Sequence, residues 1–189
     1  MLAMSPTDTA KQARLLQIIK SQSLFREKSY ALASGGNTDY YFNMKNTTMD
    51  PEGANLVADL IYSIVSEEDV DFLGGLASGA IPIITTVAMR SLHGHRPIRG
   101  FYVREEVKTH GMMKLIEGFI EDGSRVIILD DVTTIGSSAM KAVNAVRDRH
   151  CRVTKVISIV DRLEGAAETF KREGIEFTSL FTTRDFIAS

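Results

Sequence analysis

The sequence predicts an α/β protein in which a parallel sheet is flanked by helices on both faces. Short apolar segments rich in β-branched residues, which are typical of buried strands, alternate with segments whose apolar residues repeat at helical spacing. Charged residues follow two of the strand segments directly, Asp130-Asp131 after residues 126–129 and Asp161-Arg162 after residues 153–160. Open α/β sheets bind their ligands at the carboxyl ends of their strands. We therefore expect the functional site at that edge of the sheet.

The 189-residue chain is long enough for one domain with a full apolar core, and no shift in composition divides it. Its formal net charge is −2 and it has no basic stripe, so a nucleic-acid partner is not expected. The single cysteine, Cys151, has no partner for an intrachain disulfide, which is typical of a reducing compartment. The amino terminus lacks the basic and apolar regions of a signal peptide. These features predict one cytoplasmic domain, residues 1–189.

Residues 72–89 carry no charge and approach the length of a membrane span. The segment contains three glycines, one proline and three Ser or Thr residues, and charged residues lie at both of its ends. A strand, a glycine-rich turn and a buried helix explain this composition better than a membrane span. No membrane partner is expected.

A helix begins the chain and short strands follow it. Ser5-Pro6 supplies a capping residue and a proline at the first helical position, and the residues after it predict a helix over about 7–21. A turn is predicted at residues 34–38, and its Gly35-Gly36-Asn37 between short strand candidates predicts a β-hairpin. The aromatic residues Tyr41 and Phe42 have two interpretations, packing in the core or contact with a ligand.

The middle of the chain predicts two helices on either side of a strand and a glycine-rich loop. Asp50-Pro51 supplies an N-cap and a first helical proline for a helix with one apolar side. Residues 70–73 predict a short strand, and residues 74–79 a loop whose bare backbone can approach an anion. The helix predicted over about 82–92 ends at His93-Gly-His95, a pair that in such a turn lies in solvent more often than on a metal.

A long polar loop follows the strand predicted at residues 98–103. Residues 104–117 carry mixed charge, and a short strand is expected near residues 118–120. Loops of this length are uncommon in α/β domains, and ordered ones often close over a site. A solvated loop without a function is the alternative. Lys108 and His110 favour a mobile lid, since a closing cation suits a phosphate ester.

The segment after residue 125 carries the most information about chemistry. Residues 126–129 predict a buried strand, and the acidic pair, a Thr/Gly/Ser turn and a helix over about 140–146 follow. The rest of the chain predicts a strand at residues 153–160, a short helix at 164–173 and a last strand at 177–181.

Three other kinds of site are alternatives for an apolar strand that ends in acids. A P-loop nucleotidase requires a G-x-x-x-x-G-K-[ST] loop and a dinucleotide site requires G-x-G-x-x-G, and the sequence contains neither. A phosphate-accepting receiver domain has no Thr-Thr-x-Gly-Ser turn directly after its acids. The remaining interpretation is a turn, residues 133–138, that holds a phosphate at a helix N-terminus. The adjacent carboxylates suit the vicinal hydroxyls of a ribose.

Residues 129–138, Leu-Asp-Asp-Val-Thr-Thr-Ile-Gly-Ser-Ser, resemble the phosphoribosyl pyrophosphate (PRPP) signature of type I phosphoribosyltransferases. Within that group the chain resembles the orotate phosphoribosyltransferase family, and the resemblance covers nearly the whole chain. The loop motif is the most discriminating, because purine-specific relatives do not carry it. The segments that support the resemblance are Ser34-Gly35 with Tyr40-Tyr41-Phe42, Asp50-Pro51-Glu52-Gly53, Arg104-x-Glu106-x-Lys108-x-His110-Gly111 with Ile116-Glu117-Gly118, and Asp161-Arg162-x-Glu164-Gly165.

The resemblance implies a type I phosphoribosyltransferase fold with a small N-terminal hood, about residues 1–48, and a long flexible catalytic loop, about residues 104–117. It implies transfer of ribose 5-phosphate from PRPP to orotate, giving orotidine 5′-phosphate and pyrophosphate in pyrimidine biosynthesis. Mg²⁺ is the implied cofactor, bound through PRPP oxygens and water rather than by protein side chains. A homodimer is implied, in which each loop closes over the neighbour's site. The alternatives are a type I transferase for another nucleobase and a non-catalytic PRPP-binding regulator.

The resemblance also implies roles for individual residues. Asp130 and Asp131 hold the ribose hydroxyls and face the developing positive charge. Arg162 faces orotate, unless it is only an ion-pair partner of Asp161 or Glu164. The implied catalytic residues are Lys108, His110, Asp130 and Asp131; those binding PRPP are Arg104, Lys108, His110, Asp130, Asp131, Val132, Thr133, Thr134, Ile135, Gly136, Ser137 and Ser138; those binding orotate are Thr134, Arg162, Tyr41 and Phe42.

Three positions depart from the family pattern. Ala33 lies where many members have a lysine before the Ser-Gly turn, and Glu105 lies where many have a lysine after the loop arginine. The glycine-rich loop at residues 74–79 lacks a lysine that some relatives carry. Lys45 and Lys28 are the candidate replacements.

Overall fold

A computed structural model describes residues 6–26, 30–31, 37–106 and 114–187 of the protein. Its α-helices are α1 (Pro6–Ile18), α2 (Lys45–Thr48), α3 (Pro51–Val65), α4 (Ala80–Ser91), α5 (Ser137–Arg147), α6 (Ala166–Arg172) and α7 (Arg184–Ile187). Its strands are β1 (Leu24–Phe25), β2 (Tyr30–Ala31), β3 (Asn37–Thr38), β4 (Tyr41–Phe42), β5 (Phe72–Gly74), β6 (Arg99–Val103), β7 (Ile116–Gly118), β8 (Arg125–Thr133), β9 (Arg152–Asp161) and β10 (Glu176–Thr182).

Six of these strands form the central sheet, in the order β10-β9-β8-β5-β6-β7. Five of them run parallel, as the alternation of strand and helix segments predicts. The predicted fold class, a parallel sheet flanked by helices, is confirmed, and β7 adds an edge strand that pairs antiparallel to β6.

Apolar side chains of β8 alternate between the two faces of the sheet. Ile127 and Leu129 pack with α1, α3 and α4, whereas Val126 and Ile128 pack with α5 and α6. All four side chains are fully buried. Because helices cover both faces, β8 reads in the sequence as a continuous apolar run rather than an alternating one.

The N-terminal segment forms two short antiparallel ribbons that are separate from this sheet. β2 pairs antiparallel with β3, which confirms the predicted hairpin. Residues 32–36 lie outside the described residues, and Asn37-Thr38, predicted as part of the turn, form β3. β1 pairs with β4, so that Leu24 lies opposite Phe42. The first α-helix ends at Ile18 rather than near residue 21, because the next five residues, Ile19–Ser23, form a π-helical turn.

The capping signals that start α3 are confirmed. The Asp50 carboxylate accepts a hydrogen bond from the Gly53 N–H at 2.8 Å, and Pro51 occupies the first helical position. A shared carboxylate ties three helices together: Asp59 of α3 accepts from Lys11 of α1 at 2.7 Å and from Arg90 of α4 at 2.5 Å. No helix within the described ranges is long and apolar enough to cross a membrane.

Candidate active site

The acidic pair lies inside the last part of β8, at the carboxyl edge of the sheet. The strand continues past the predicted end at residue 129 and runs to Thr133. Asp130 lies opposite Ser158 of β9, and Thr133 lies opposite Asp161. The two strand ends that carried charged residues in the sequence are therefore neighbours, and their side chains are available to one site.

Asp130 is buried, with 6% of its surface exposed, and local donors hold its carboxylate in place. One carboxylate oxygen accepts from the Thr133 hydroxyl at 3.0 Å, and the other accepts from the Asp131 N–H at 3.2 Å. Burial, and then the charge of Asp131, raise the pKa of Asp130 to about 7, although both hydrogen bonds oppose the increase. The Asp130 carboxyl therefore titrates near neutral pH, well above the range of an ordinary aspartate.

Asp131 lies against the start of α4. A Cβ atom placed on Gly79, the N-cap of α4, would lie 2.5 Å from a carboxylate oxygen of Asp131. A glycine is therefore required for the carboxylate to reach the helix N-terminus, where the helix dipole favours a negative charge. Burial raises the pKa of Asp131, whereas the Val132 N–H and the charge of Lys45 act against that increase. Val132 donates to Asp131 at 3.0 Å.

The turn after β8 leads directly into the N-terminus of α5. Gly136 is the N-cap of α5 and has a φ of +87°, a left-handed conformation that disfavours side chains. A Cβ at this position would lie 2.8 Å from the Phe170 ring. Ser137 and Ser138 are exposed at the start of the helix. Because first-turn N–H groups have no acceptor within a helix, the turn offers backbone and hydroxyl donors to a phosphate.

Arg162, at the end of β9, is only 7% exposed and connects the sheet with the N-terminal segment. Its Nη2 donates to the Thr38 hydroxyl at 3.2 Å, and its guanidinium lies over the Tyr40 ring, 4.7 Å from the centroid. Its Nε lies 2.9 Å from a Glu164 carboxylate oxygen, in an ion pair whose N–H direction does not make a hydrogen bond. The ion pair with Glu164 is therefore present, and the one considered with Asp161 is not among the described contacts.

The two predicted aromatic residues occupy different environments. Phe42 is 5% exposed and packs edge-on against Phe186, with centroids 5.0 Å apart, whereas Tyr41 is 47% exposed. The core interpretation is correct for Phe42, and nearly all of its ring is covered. The sequence did not predict Thr38 and Tyr40 as contacts of Arg162. Both lie in the polar and aromatic segment at residues 38–42, but the sequence does not show which of these side chains points toward β9.

The base of the long loop is anchored by Arg104. Its Nη2 lies 3.0 Å from a Glu117 carboxylate oxygen on β7, and its guanidinium lies 5.8 Å from the centre of the Tyr102 ring. Lys108 and His110 lie outside the described residues. Across the described ranges, no group of three His, Cys, Asp or Glu side chains is arranged to hold a metal ion, and His93 and His95 are exposed.

Comparisons with known proteins identify a consistent set of relatives, although no family model matches the chain. The orotate phosphoribosyltransferase of a Bradyrhizobium species is 46% identical over 184 residues, which cover 95% of this chain and 98% of the relative. The enzyme of the same name from Aquifex aeolicus is 42% identical over 179 residues, covering 94% and 98%. Among solved structures, Mycobacterium tuberculosis orotate phosphoribosyltransferase in complex with PRPP superposes with a TM-score of 0.78 at 32% identity, covering 93% of this chain and 98% of that one.

Proposed function

The chain belongs to the orotate phosphoribosyltransferase family, whose members transfer ribose 5-phosphate from PRPP to orotate, and we propose that residues 130–138 are where it does so. The reaction gives orotidine 5′-phosphate and pyrophosphate and belongs to pyrimidine biosynthesis. One observation carries the assignment of the site: a carboxylate pair, the buried Asp130 and the half-buried Asp131, lies directly beside an open helix N-terminus at the carboxyl edge of a parallel sheet.

The carboxylates of Asp130 and Asp131 accept hydrogen bonds from the two ribose hydroxyls in this proposal. The transition state of the transfer resembles an oxocarbenium ion, so fixed negative charge beside the ribose ring stabilises it. Thr133 and the Asp131 N–H already hold the Asp130 carboxylate, so little reorganisation is needed when PRPP binds. Catalysis in this site is therefore mainly positioning and electrostatics.

The turn between β8 and α5 holds the 5′-phosphate. The hydroxyls of Ser137 and Ser138 and the first-turn N–H groups of α5 are the donors, together with the hydroxyl of Thr134. Gly136 makes this possible because its left-handed conformation turns the chain sharply from strand to helix. Thr134 stays the residue expected to contact both substrates.

Arg162 is the proposed contact for orotate. A planar guanidinium matches the carboxylate of orotate, and Tyr40 and Thr38 fix its orientation. Glu164 offsets part of the positive charge of Arg162, which makes burial of the arginine tolerable before orotate binds. Tyr41 is exposed beside this region and is the aromatic side chain of the predicted pair that can flank a ring.

Mg²⁺ is proposed to enter the site bound to PRPP. The donor set supports this route: both carboxylate oxygens of Asp130 and one of Asp131 already accept local hydrogen bonds, and no three-ligand cluster exists among the described residues. When bound, the ion neutralises charge on the pyrophosphate.

The working unit is proposed to be a homodimer in which the loop between β6 and β7 of one subunit closes over the other's site; the loop was predicted to extend to residue 117, but Ile116 and Glu117 belong to β7. Lys108 and His110 then stabilise the leaving pyrophosphate, and Arg104 supports them from the loop base. A shallow hollow of about 380 Å³ between α4 and β6–β7, next to the 67% exposed Met89, is an apolar surface suited to a second copy. The loop leaves the sheet beside this surface. The cytoplasm remains the predicted location.

Incubation of the purified protein with PRPP, Mg²⁺ and a panel of bases tests the proposal. Release of pyrophosphate is expected with orotate and not with uracil, hypoxanthine or adenine. Turnover of one of the other bases without turnover of orotate would replace the assignment with a transferase for that base. Binding of PRPP with no pyrophosphate release for any base would instead indicate a regulator.

A further inference from the structure

The short helix α2 is held firmly by its buried side. Met44, Thr47 and Thr48 are at most 3% exposed, and the Thr47 hydroxyl lies 2.6 Å from that of Ser23. Asn46 donates to the Gln22 carbonyl at 2.7 Å. Lys45, the first residue of α2, is exposed on the opposite side. Packing of α2 against the core therefore fixes the backbone position of Lys45, and its exposed side chain can reach a ligand.

Lys45 lies on the side of the site where Asp131 meets α4. Helix α2 packs against α4, and the first residue before α4, Gly79, contacts the Asp131 carboxylate. The charge of Lys45 acts on Asp131, yet within the described part of the chain Lys45 has no carboxylate within 4.0 Å. The ammonium group of Lys45 is therefore exposed near Asp131, with no close anionic partner among the described residues.

The helices on the two faces of the sheet indicate how PRPP is oriented at the carboxyl end of β8. Helix α5, which holds the 5′-phosphate in the proposed function, packs on one face, and α4 packs on the other together with Met44, the residue before α2. A ribose bound by Asp130 and Asp131 has its 5′-phosphate toward α5. Its C1 carbon, which carries the pyrophosphate, is then directed toward α4 and α2.

We propose that Lys45 binds the pyrophosphate group of PRPP and of the released product, an inference that rests on the proposed function of residues 130–138. An ammonium group is a compact cation that suits a diphosphate. Lys45 supplies this charge beside the start of α4, which follows the loop at residues 74–79 that lacks the lysine of some family members. A lysine on α2 thereby offsets the lysine that this loop lacks.

Three variants test this assignment: Lys45→Met, Lys45→Arg and the control Lys171→Met, which removes another exposed lysine in the last turn of α6. In Lys45→Met, we expect about a tenfold higher KM for PRPP and about tenfold weaker product inhibition by pyrophosphate, the effect of losing one charged contact. The KM for orotate should stay within about twofold, since Lys45 does not contact the base. Lys45→Arg should retain most of the pyrophosphate affinity.

Wild-type turnover separates the two proposals. If the wild type converts orotate and Lys45→Met leaves the PRPP KM and pyrophosphate inhibition unchanged, the inference about Lys45 is wrong and the function stands. If the wild type does not convert orotate, titration calorimetry with PRPP and with Mg²⁺-pyrophosphate still decides: weaker binding of both by Lys45→Met supports the inference, and equal binding refutes it. Circular dichroism melts confirm that each variant is folded.

Discussion

At Asp130, two physical effects oppose one another. The carboxylate needs its charge to hold ribose hydroxyls and to face an oxocarbenium ion, yet burial beside Asp131 makes that charge costly. The hydrogen bonds from Thr133 and from the Asp131 N–H recover only part of the cost. The charge of Asp130 that the proposed function requires therefore lowers the stability of the fold. The pH dependence of unfolding should reveal this cost.

A carboxyl whose pKa is raised by folding binds its proton more tightly in the native state than in the unfolded chain. The contribution of Asp130 to the free energy of unfolding should therefore fall as pH rises from its ordinary value, 3.8, through about 7. The Asp130→Asn variant has no titrating carboxyl at this position, so it lacks this fall in the free energy of unfolding. Relative to the wild type, the variant should gain on the order of 2 kcal/mol in stability between pH 5 and pH 8.

Urea denaturation of both proteins at the two pH values measures this difference. Asp148→Asn, at an exposed position just after α5, is the matched control and should show no relative change. Parallel pH profiles for the wild type and Asp130→Asn would mean that the buried carboxyl does not titrate in this range.

At the scale of elements, the site depends on the passage from β8 to α5. Strand β8 ends at Thr133, just after its two carboxylates, and α5 begins at Ser137 with first-turn N–H groups that have no acceptor within the helix. The left-handed Gly136 makes this turn possible, and its lack of a side chain lets the Phe170 ring of α6 pack against it. Gly136 therefore allows both the left-handed backbone of the turn and the close packing of Phe170.

Gly136→Ala should be destabilising for both of these reasons. We expect a loss of about 2–4 kcal/mol, from the left-handed backbone and the close contact with Phe170. Gly123→Ala is the matched control: its φ is +80°, but nothing lies within 4 Å of an added Cβ. It should lose only about 1–2 kcal/mol, the backbone part alone. Urea denaturation measures both, and equal losses would show that the Phe170 contact adds nothing.

At the scale of the whole molecule, the described residues form only part of the proposed catalytic apparatus. The carboxylate pair, the phosphate turn and Arg162 converge at one edge of the sheet. Arg104 is instead held on β7 by Glu117, across β5 and β6 from the acidic strand. This separation fits the proposal that the loop serves a second subunit rather than its own.

Mixed dimers test that arrangement. Lys108→Ala lacks the proposed loop cation and Asp131→Asn lacks one carboxylate, so each variant alone should have little activity. A heterodimer with shared sites contains one complete site and one doubly altered site, so purified heterodimers should show about half of the wild-type activity. Differently tagged subunits allow the heterodimers to be isolated. Activity no higher than in either variant alone would rule out sharing of these two residues.

The local features of this protein could be predicted from the sequence because neighbours along the chain produce them. Strand β8 follows from its apolar, β-branched residues, and the start of α3 follows from Asp50-Pro51. The candidate site at residues 130–138 is one continuous segment, so its order of acids, hydroxyls and glycine was readable without any tertiary contact. The roles of its individual residues remain predictions.

Contacts between distant segments were decided only by the tertiary structure. The turning of Phe42 into the core, the contacts of Arg162 with Thr38 and Tyr40, and the approach of Gly79 to Asp131 each depend on the strand order. The antiparallel pairing of β7 with β6 at the sheet edge is likewise visible only in the assembled sheet. Periodicity and turn chemistry act over a few residues, whereas these contacts join residues far apart in sequence that only the assembled sheet brings together.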